Sequence, residues 1–326
     1  VEYVGQPLAI VVADTPEAAR RAAARVAVDV DERPVIVDPR EAFAQGQVID
    51  RGRTFQIGNV DDAWEACAVV VEGTCDIGGQ EHLYLETQRA RAVPREDGTV
   101  QVYSSTQSPY ATQKSIARIL GVAEHKVEVD VLRLGGGFGG KEDQATHWAC
   151  MVALCAVHLQ RPVELVLHRL DDIRRTGKRH PYQSDFKLGA GADGEILALE
   201  IRHFQNAGAF ADLSTAILER SLFHSTNAYR VPNARIFAVC CRTHLPPNTA
   251  FRGFGGPQAM FVMEAALAKA AEALGIPRET LQYRNLLREG DRFPYGQTAE
   301  RCQAIRTWDV LETSYDLQAM RAEVET

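Results

Sequence analysis

The chain has 326 residues, 45% of them apolar, with 36 basic and 43 acidic residues and a net charge of −7. That is enough for a sizeable core and for two domains. The negative balance, spread without long single-sign runs, excludes nucleic acid and anionic membrane as main partners, and no apolar stretch is long enough to span a bilayer or reads as a signal peptide.

The seven cysteines are an odd number and show no CxxC spacing. They read as reduced core thiols, so the expected compartment is the cytoplasm. The sequence enters a strand pattern at Val1 without an initiator methionine. It is therefore expected to be a piece of a longer polypeptide or of a multi-subunit assembly.

In chain order, strands are expected at 7–13 and 26–31, around a helix at 16–25 with Thr15 as cap and Pro16 in its first turn. This β-α-β-like unit ends near Pro39, and residues 41–59 read as a polar linker. Strands follow at 69–77 and 99–104, then a helix at 111–120 and an alternating strand at 126–134. A helix is expected at 143–157 and a strand at 162–168. A hairpin of 182–188 with 196–206 turns around Gly191 and Gly194. A strand at 234–241, a strong helix at 257–274 that opens with proline, and a short helix at 278–287 complete the pattern. The interleaving of strands and helices gives an α/β or α+β class.

Two glycine loops carry the chemistry. Residues 135–142 read GGGFGGKE between a strand and a helix, and residues 251–258 read FRGFGGPQ in the same kind of setting. Glycines open left-handed dihedrals and let backbone N–H groups approach a bound group closely. A helix start adds free N–H groups and positive dipole. Three generic readings of the first loop compete. A phosphate-binding P-loop needs Ser or Thr where Glu142 stands, and a carboxylate there repels phosphate. A dinucleotide fingerprint is formally matched by Gly135, Gly137 and Gly140 but lacks its acidic partner. A bare strand-to-helix turn does not need so many glycines.

Six segments in order are YVGQPLAIVVADT at the start, GGQEHLYLET at 78–87, SSTQSPYATQ at 104–113, GGGFGGKE, LERSLFH at 218–224 and LPPNTAFRGFGGPQ at 245–258. Together they resemble the molybdopterin-binding part of the xanthine dehydrogenase/aldehyde oxidase family, over nearly the whole chain. The resemblance implies that residues 1–55 are the last part of an α/β hammerhead domain, with an open strand edge. Residues 56–326 would be the first of two molybdopterin-binding domains. The second domain is expected just after Thr326 and would supply the glutamate base and much of the pterin phosphate site. Iron–sulfur clusters and FAD are expected on other domains or subunits, and the assembly is expected to be an oligomer. The isolated chain is expected to hold no molybdenum.

The implied reaction hydroxylates an electron-poor ring carbon with oxygen from water, on a molybdenum–molybdopterin cofactor whose pterin, not a side chain, ligates the metal. By motif match, Gln107 would donate its side-chain amide to an oxo ligand of the metal. The backbone N–H groups of Phe138 and Arg252 would face the metal centre, with Gly137 and Gly139 lining the cofactor.

Glu142 and Arg220 would form a specificity pair. In the purine-oxidising branch these positions hold a carboxylate and a guanidinium, which suit the ring N–H groups and carbonyls of hypoxanthine and xanthine. In the aldehyde-oxidising branch they are usually apolar. The competing readings are an ion pair of Arg220 with Glu219 and a first-turn helix acid for Glu142. Phe254 would stack on the substrate ring, against the alternatives of a core role or a hydrophobic staple. His82 and Glu86 lack metal-site spacing and read as structural. Lys141 reads either as reaching a phosphate or as exposed to solvent.

Overall fold

The computed structural model describes residues 1–324. In chain order the elements are α1 (Pro16–Ala23), α2 (Pro39–Ala44), β1 (Arg53–Ile57), α3 (Val60–Ala63), β2 (Val69–Ile77), β3 (Arg89–Pro94), β4 (Val100–Ser104), α4 (Pro109–Leu120) and β5 (Val127–Asp130). There follow α5 (Gln144–Leu159), β6 (Val163–Val166), α6 (Arg169–Arg175), β7 (Tyr182–Ala190), β8 (Ile196–Gly208), α7 (Ser214–His224), β9 (Ala234–Arg242), α8 (Gly256–Leu274), α9 (Arg278–Asn285), α10 (Ala304–Tyr315) and α11 (Leu317–Val324).

The strands form two sheets. The first has the order β1-β9-β8-β7-β2 and the second β5-β4-β3-β6. All neighbours are antiparallel except β8 with β9 and β4 with β5. Each sheet packs one face against its own long helices, and α2 covers part of the first sheet's other face. Val71, Leu188, Leu199, Ile201 and Ile236 of the first sheet pack on Leu218 and Leu222 of α7 and on Val262, Met263 and Leu267 of α8. Ala90, Ala92 and Val102 of the second pack on Ile116 of α4 and on Ala149, Val152, Ala153 and Ala156 of α5. Small residues on both β3 and α5 let the helix lie close to the strand. α8 opens with Pro257 in its first turn and stops at Gly275, whose φ is +66°. That is the favoured placing of proline and glycine at helix ends.

The first helix forms as expected, with Thr15 Oγ1 accepting from the Ala18 N–H at 3.2 Å. The flanking strands at 7–13 and 26–31 do not form: those residues have no ladder partner among the described residues. Leu8, Ile10, Val12, Val26, Val28 and Val30 stay exposed. A strand exists only as a hydrogen-bonded pair, so alternation alone cannot make one.

From Ile36 onward the chain joins the first sheet. His244 N–H donates to Ile36 O at 2.8 Å, Arg242 N–H to Gln47 O at 3.0 Å, and Ile49 N–H to Cys240 O at 2.9 Å. Ala42 and Phe43 pack on Phe204, Val239 and Cys241. β1 then pairs with β9, Arg53 opposite Ala238. The expected linker at 41–59 is therefore α2 and β1, and the expected division after residue 55 falls inside a strand. Its polar sequence hid elements that are stabilised by tertiary pairing, not by their own periodicity.

Candidate functional site

The two glycine loops leave different layers. The first runs from β5 of the second sheet into α5, and the second precedes α8 on the first sheet. They meet backbone to backbone: Arg252 N–H donates to Phe138 O at 2.9 Å. At Gly139, with φ of +97°, a Cβ would stand 2.8 Å from the Ala250 carbonyl, so only glycine permits the approach.

Phe138 (φ +54°) and Phe254 (φ +50°) occupy the left-handed region at equivalent places in the two loops. That is uncommon for a non-glycine residue, costs roughly 1–3 kcal/mol, and persists where the surroundings over-determine it. Phe138 is half exposed.

Gln107 is set by the first loop. Its Oε1 accepts from Gly139 N–H at 2.9 Å and from Lys141 N–H at 3.2 Å. Its own N–H donates to Lys141 O at 2.8 Å. Two backbone donors on Oε1 fix which way the amide faces. Among the described residues its Nε2 has no partner, and neither has the Phe138 N–H. At Gly137 a Cβ would lie 2.5 Å from Gln107 Oε1.

The Arg252 N–H, expected near the metal centre, has a partner within the protein. That group donates to Phe138 O, so Arg252 serves as the joint between the loops.

The joint has supports that local sequence signals did not reveal. His82 Nε2 donates to Ala250 O at 2.7 Å, and its ring lies 4.6 Å from that of Phe251. Burial pushes the His82 pKa down. Arg179 donates from Nη2 to Arg252 O at 2.9 Å and sits 4.1 Å above the Phe251 ring. Nothing in the local pattern around Arg179 marks it, because its partners are far away in the chain.

Glu142 lies half-buried just before Asp143, the N-cap position of α5. It is thus outside the helix, which disfavours the first-turn reading. Burial, and then Asp143, push its carboxyl above the usual range. Arg220 is exposed on α7. Its neighbour Glu219 pairs with Arg53 instead, so the ordinary ion-pair reading of Arg220 is not what forms. α7 supports the second loop: Ser221 Oγ donates to Gly255 O at 3.0 Å. No hydrogen bond or ion pair joins Glu142 to Arg220 among the described residues, nor does Phe254 have an aromatic partner there.

Lys141 is neither exposed nor free for a phosphate: its side chain is 0% exposed and bonded to Glu86. Among the described residues no group of His, Cys, Asp and Glu could hold a metal ion. The described cysteines are free, with Cys75, Cys240 and Cys241 buried. No helix among those residues is long and apolar enough to cross a membrane.

Residues 42–286 match the molybdopterin cofactor-binding domain family. The chain belongs to that family. It is 41% identical to mouse xanthine dehydrogenase/oxidase over 326 residues, covering 100% of this chain and 24% of the relative. It is 38% identical to a nicotinate hydroxylase of Emericella nidulans over 301 residues, 91% of this chain and 22% of the relative. Among solved structures, the aldehyde oxidoreductase of Desulfovibrio gigas superposes with a TM-score of 0.90 at 28% identity, covering 96% of this chain and 35% of that one. The chain thus spans about a quarter of the length of the curated relatives it matches. The mixed α/β fold is that of the molybdenum hydroxylases, and the cofactor of the family is molybdenum–molybdopterin.

The residues present fit such a group. A side-chain amide with a pinned orientation and an unpartnered Nε2 stands beside an unpartnered backbone N–H. Gly137 leaves no room between the loop and this amide: a Cβ there would stand 2.5 Å from Gln107 Oε1. All of these are neutral donors, suited to a metal whose ligands come from its own cofactor.

Proposed function

We propose that this molybdopterin-binding domain forms one wall of the active site of a xanthine dehydrogenase-type enzyme. That enzyme would hydroxylate hypoxanthine and xanthine with oxygen from water. The single observation that supports this most is Gln107, whose Oε1 is held by Gly139 and Lys141 while its Nε2 stays free. When bound, the cofactor supplies the two-electron oxidation of the ring carbon.

The chain's own residues bind and orient. Gln107 Nε2 and the Phe138 N–H donate to the cofactor, and Gly137 and Gly139 let the backbone approach. Arg252 keeps the two loops in register. Phe254 stacks on the flat ring, Glu142 hydrogen-bonds a ring nitrogen, and Arg220 donates to a ring carbonyl. As negative charge grows on the ring, the guanidinium stabilises it more than the ground state.

The remaining parts belong to this reading as well. Residues 1–55 would be the last part of a hammerhead domain, docked on the first sheet from Ile36 onward, 56–326 would be the first cofactor-binding domain, and a second would supply the catalytic base and phosphate contacts. Iron–sulfur and FAD centres carry the electrons away, in a cytoplasmic oligomer.

A second reading is an aldehyde or N-heterocycle hydroxylase, favoured by the likeness to the nicotinate hydroxylase and to the aldehyde oxidoreductase. The full polypeptide carrying Glu142→Val with Arg220→Met distinguishes them. Each change removes a charge-assisted hydrogen bond of roughly 1.5–3 kcal/mol. Xanthine kcat/KM should fall by at least about a hundredfold, while aldehyde turnover persists. Retention of xanthine kcat/KM within about twofold rejects the pair as purine readers.

A further inference from the structure

Glu86 holds both ends of the first glycine loop. Its N–H donates to Gly135 O at 3.0 Å, and the Gly135 N–H donates back to Glu86 Oε2 at 2.9 Å. At the other end, Lys141 Nζ donates to Glu86 O at 2.8 Å and lies 3.3 Å from the same Oε2. The Lys141 side chain is fully buried, with Nζ 4.6 Å over the Tyr84 ring.

A second layer fixes this strip from beneath. Tyr84 Oη donates to Asp172 Oδ1 at 2.7 Å, and the Gln88 N–H donates to Asp172 Oδ2 at 2.7 Å. Gln88 Nε2 donates to Gly140 O at 2.9 Å. Burial pushes the Lys141 pKa down and the Glu86 carboxylate opposes it.

A neutral chain of similar length would fill this space without the desolvation cost of an ammonium. A charge kept here at that cost marks a point whose position matters. Between the two tethered ends the loop carries Phe138 in its left-handed conformation, and the Gly139 and Lys141 N–H groups that orient Gln107.

We propose that Glu86 and Lys141 are positioning residues whose ion pair clasps the ends of the 135–141 loop and so keeps the two free donors, Gln107 Nε2 and the Phe138 N–H, in place for the cofactor. The identity of the held group rests on the proposed function; the clasp does not.

The test uses the full natural polypeptide with Lys141→Met, Glu86→Gln and the double variant. Hydrogen–deuterium exchange of the loop, molybdenum content, melting temperature and steady-state kinetics are measured on each. Lys141→Met should raise exchange of the hydrogen-bonded amides at 139–141 by about tenfold or more, while β7 and β8 stay within about twofold. Molybdenum content should fall, and kcat per bound molybdenum should fall with KM within about twofold. The double variant should lose less than the product of the single losses, as expected for one coupled pair.

Loop exchange and molybdenum content at wild-type levels in Lys141→Met overturn the clasp. So does a uniform rise in exchange across β7 and β8 with a lowered melting temperature, which means the pair merely supports the fold. Wild-type protein without molybdenum would reject the cofactor reading instead, and the exchange comparison would still decide the clasp.

Discussion

Gly137 has no room for a side chain without moving Gln107. An added Cβ meets Oε1 at 2.5 Å and Cδ at 2.7 Å. The glutamine can swing away only by breaking its two bonds from the Gly139 and Lys141 N–H groups, so Gly137→Ala should cost about 1–3 kcal/mol of stability. The swing also takes the amide with it, and a misplacement of this size costs about a hundredfold in rate. A lowered melting temperature, with turnover per bound molybdenum down by about that factor, is the expected pair of results.

Asp212 gives a pH prediction at the same scale. It accepts from Thr249 Oγ1 at 2.7 Å, Gln144 Nε2 at 2.8 Å and the Leu213 N–H at 2.6 Å. Burial outweighs these bonds and lifts its pKa from 3.8 to about 6. The folded state therefore binds this proton more tightly than the unfolded state. Its contribution is fully present below the unfolded pKa and is lost as pH rises towards the folded pKa, by at most about 3 kcal/mol. Asp212→Asn should remove that slope. Urea unfolding of wild type and variant at several pH values between 4 and 7 measures the difference.

At the scale of elements, α8 joins the second glycine loop to the core of the first sheet. Met263 is fully buried there among β-strand side chains. Met263→Ala should cost about 2–5 kcal/mol through the lost transfer energy and the cavity left behind. Chemical denaturation should show a lower midpoint with an unchanged slope, and a loss below about 1 kcal/mol would mean that the site collapses around the gap.

α8 was legible because proline opens it, glycine closes it and it is long enough to show its period. β3 was not, because its buried positions are the alanines Ala90 and Ala92, which carry little apolar signal. The strand expected at 126–134 is only Val127–Asp130. The four residues after it leave the sheet to bring the chain into the loop, a choice made by the loop's tethers to Glu86 and Gln107.

At the scale of the whole molecule, two sheet–helix layers meet where their glycine loops touch, and residues 36–57 lie on the first sheet. The preceding segment does not share that packing. Beyond its first few residues, its fixed points are few, among them the surface ion pair of Asp14 with Arg161. Arg25 is exposed just after α1, in backbone without ladder bonds. Brief trypsin treatment of this chain should therefore cut after Arg25 before any site in β7, β8 or α8, leaving the body intact. An N-terminal segment as resistant as the body would show that its apolar residues are covered in solution.

The family resemblance, the mixed α/β class and the residues of both glycine loops are legible from residue types in order, because motif identity and glycine content are local properties. The sequence also marked Gln107 as the amide to watch. How that amide is turned becomes visible only in the folded chain, since its orientation depends on the Gly139 and Lys141 N–H groups on another segment. The same holds for Arg252, whose N–H joins the loops, and for Lys141, buried against Glu86. Hydrogen-bond partners and burial are set by residues distant in the chain, and no local pattern of residue types encodes them.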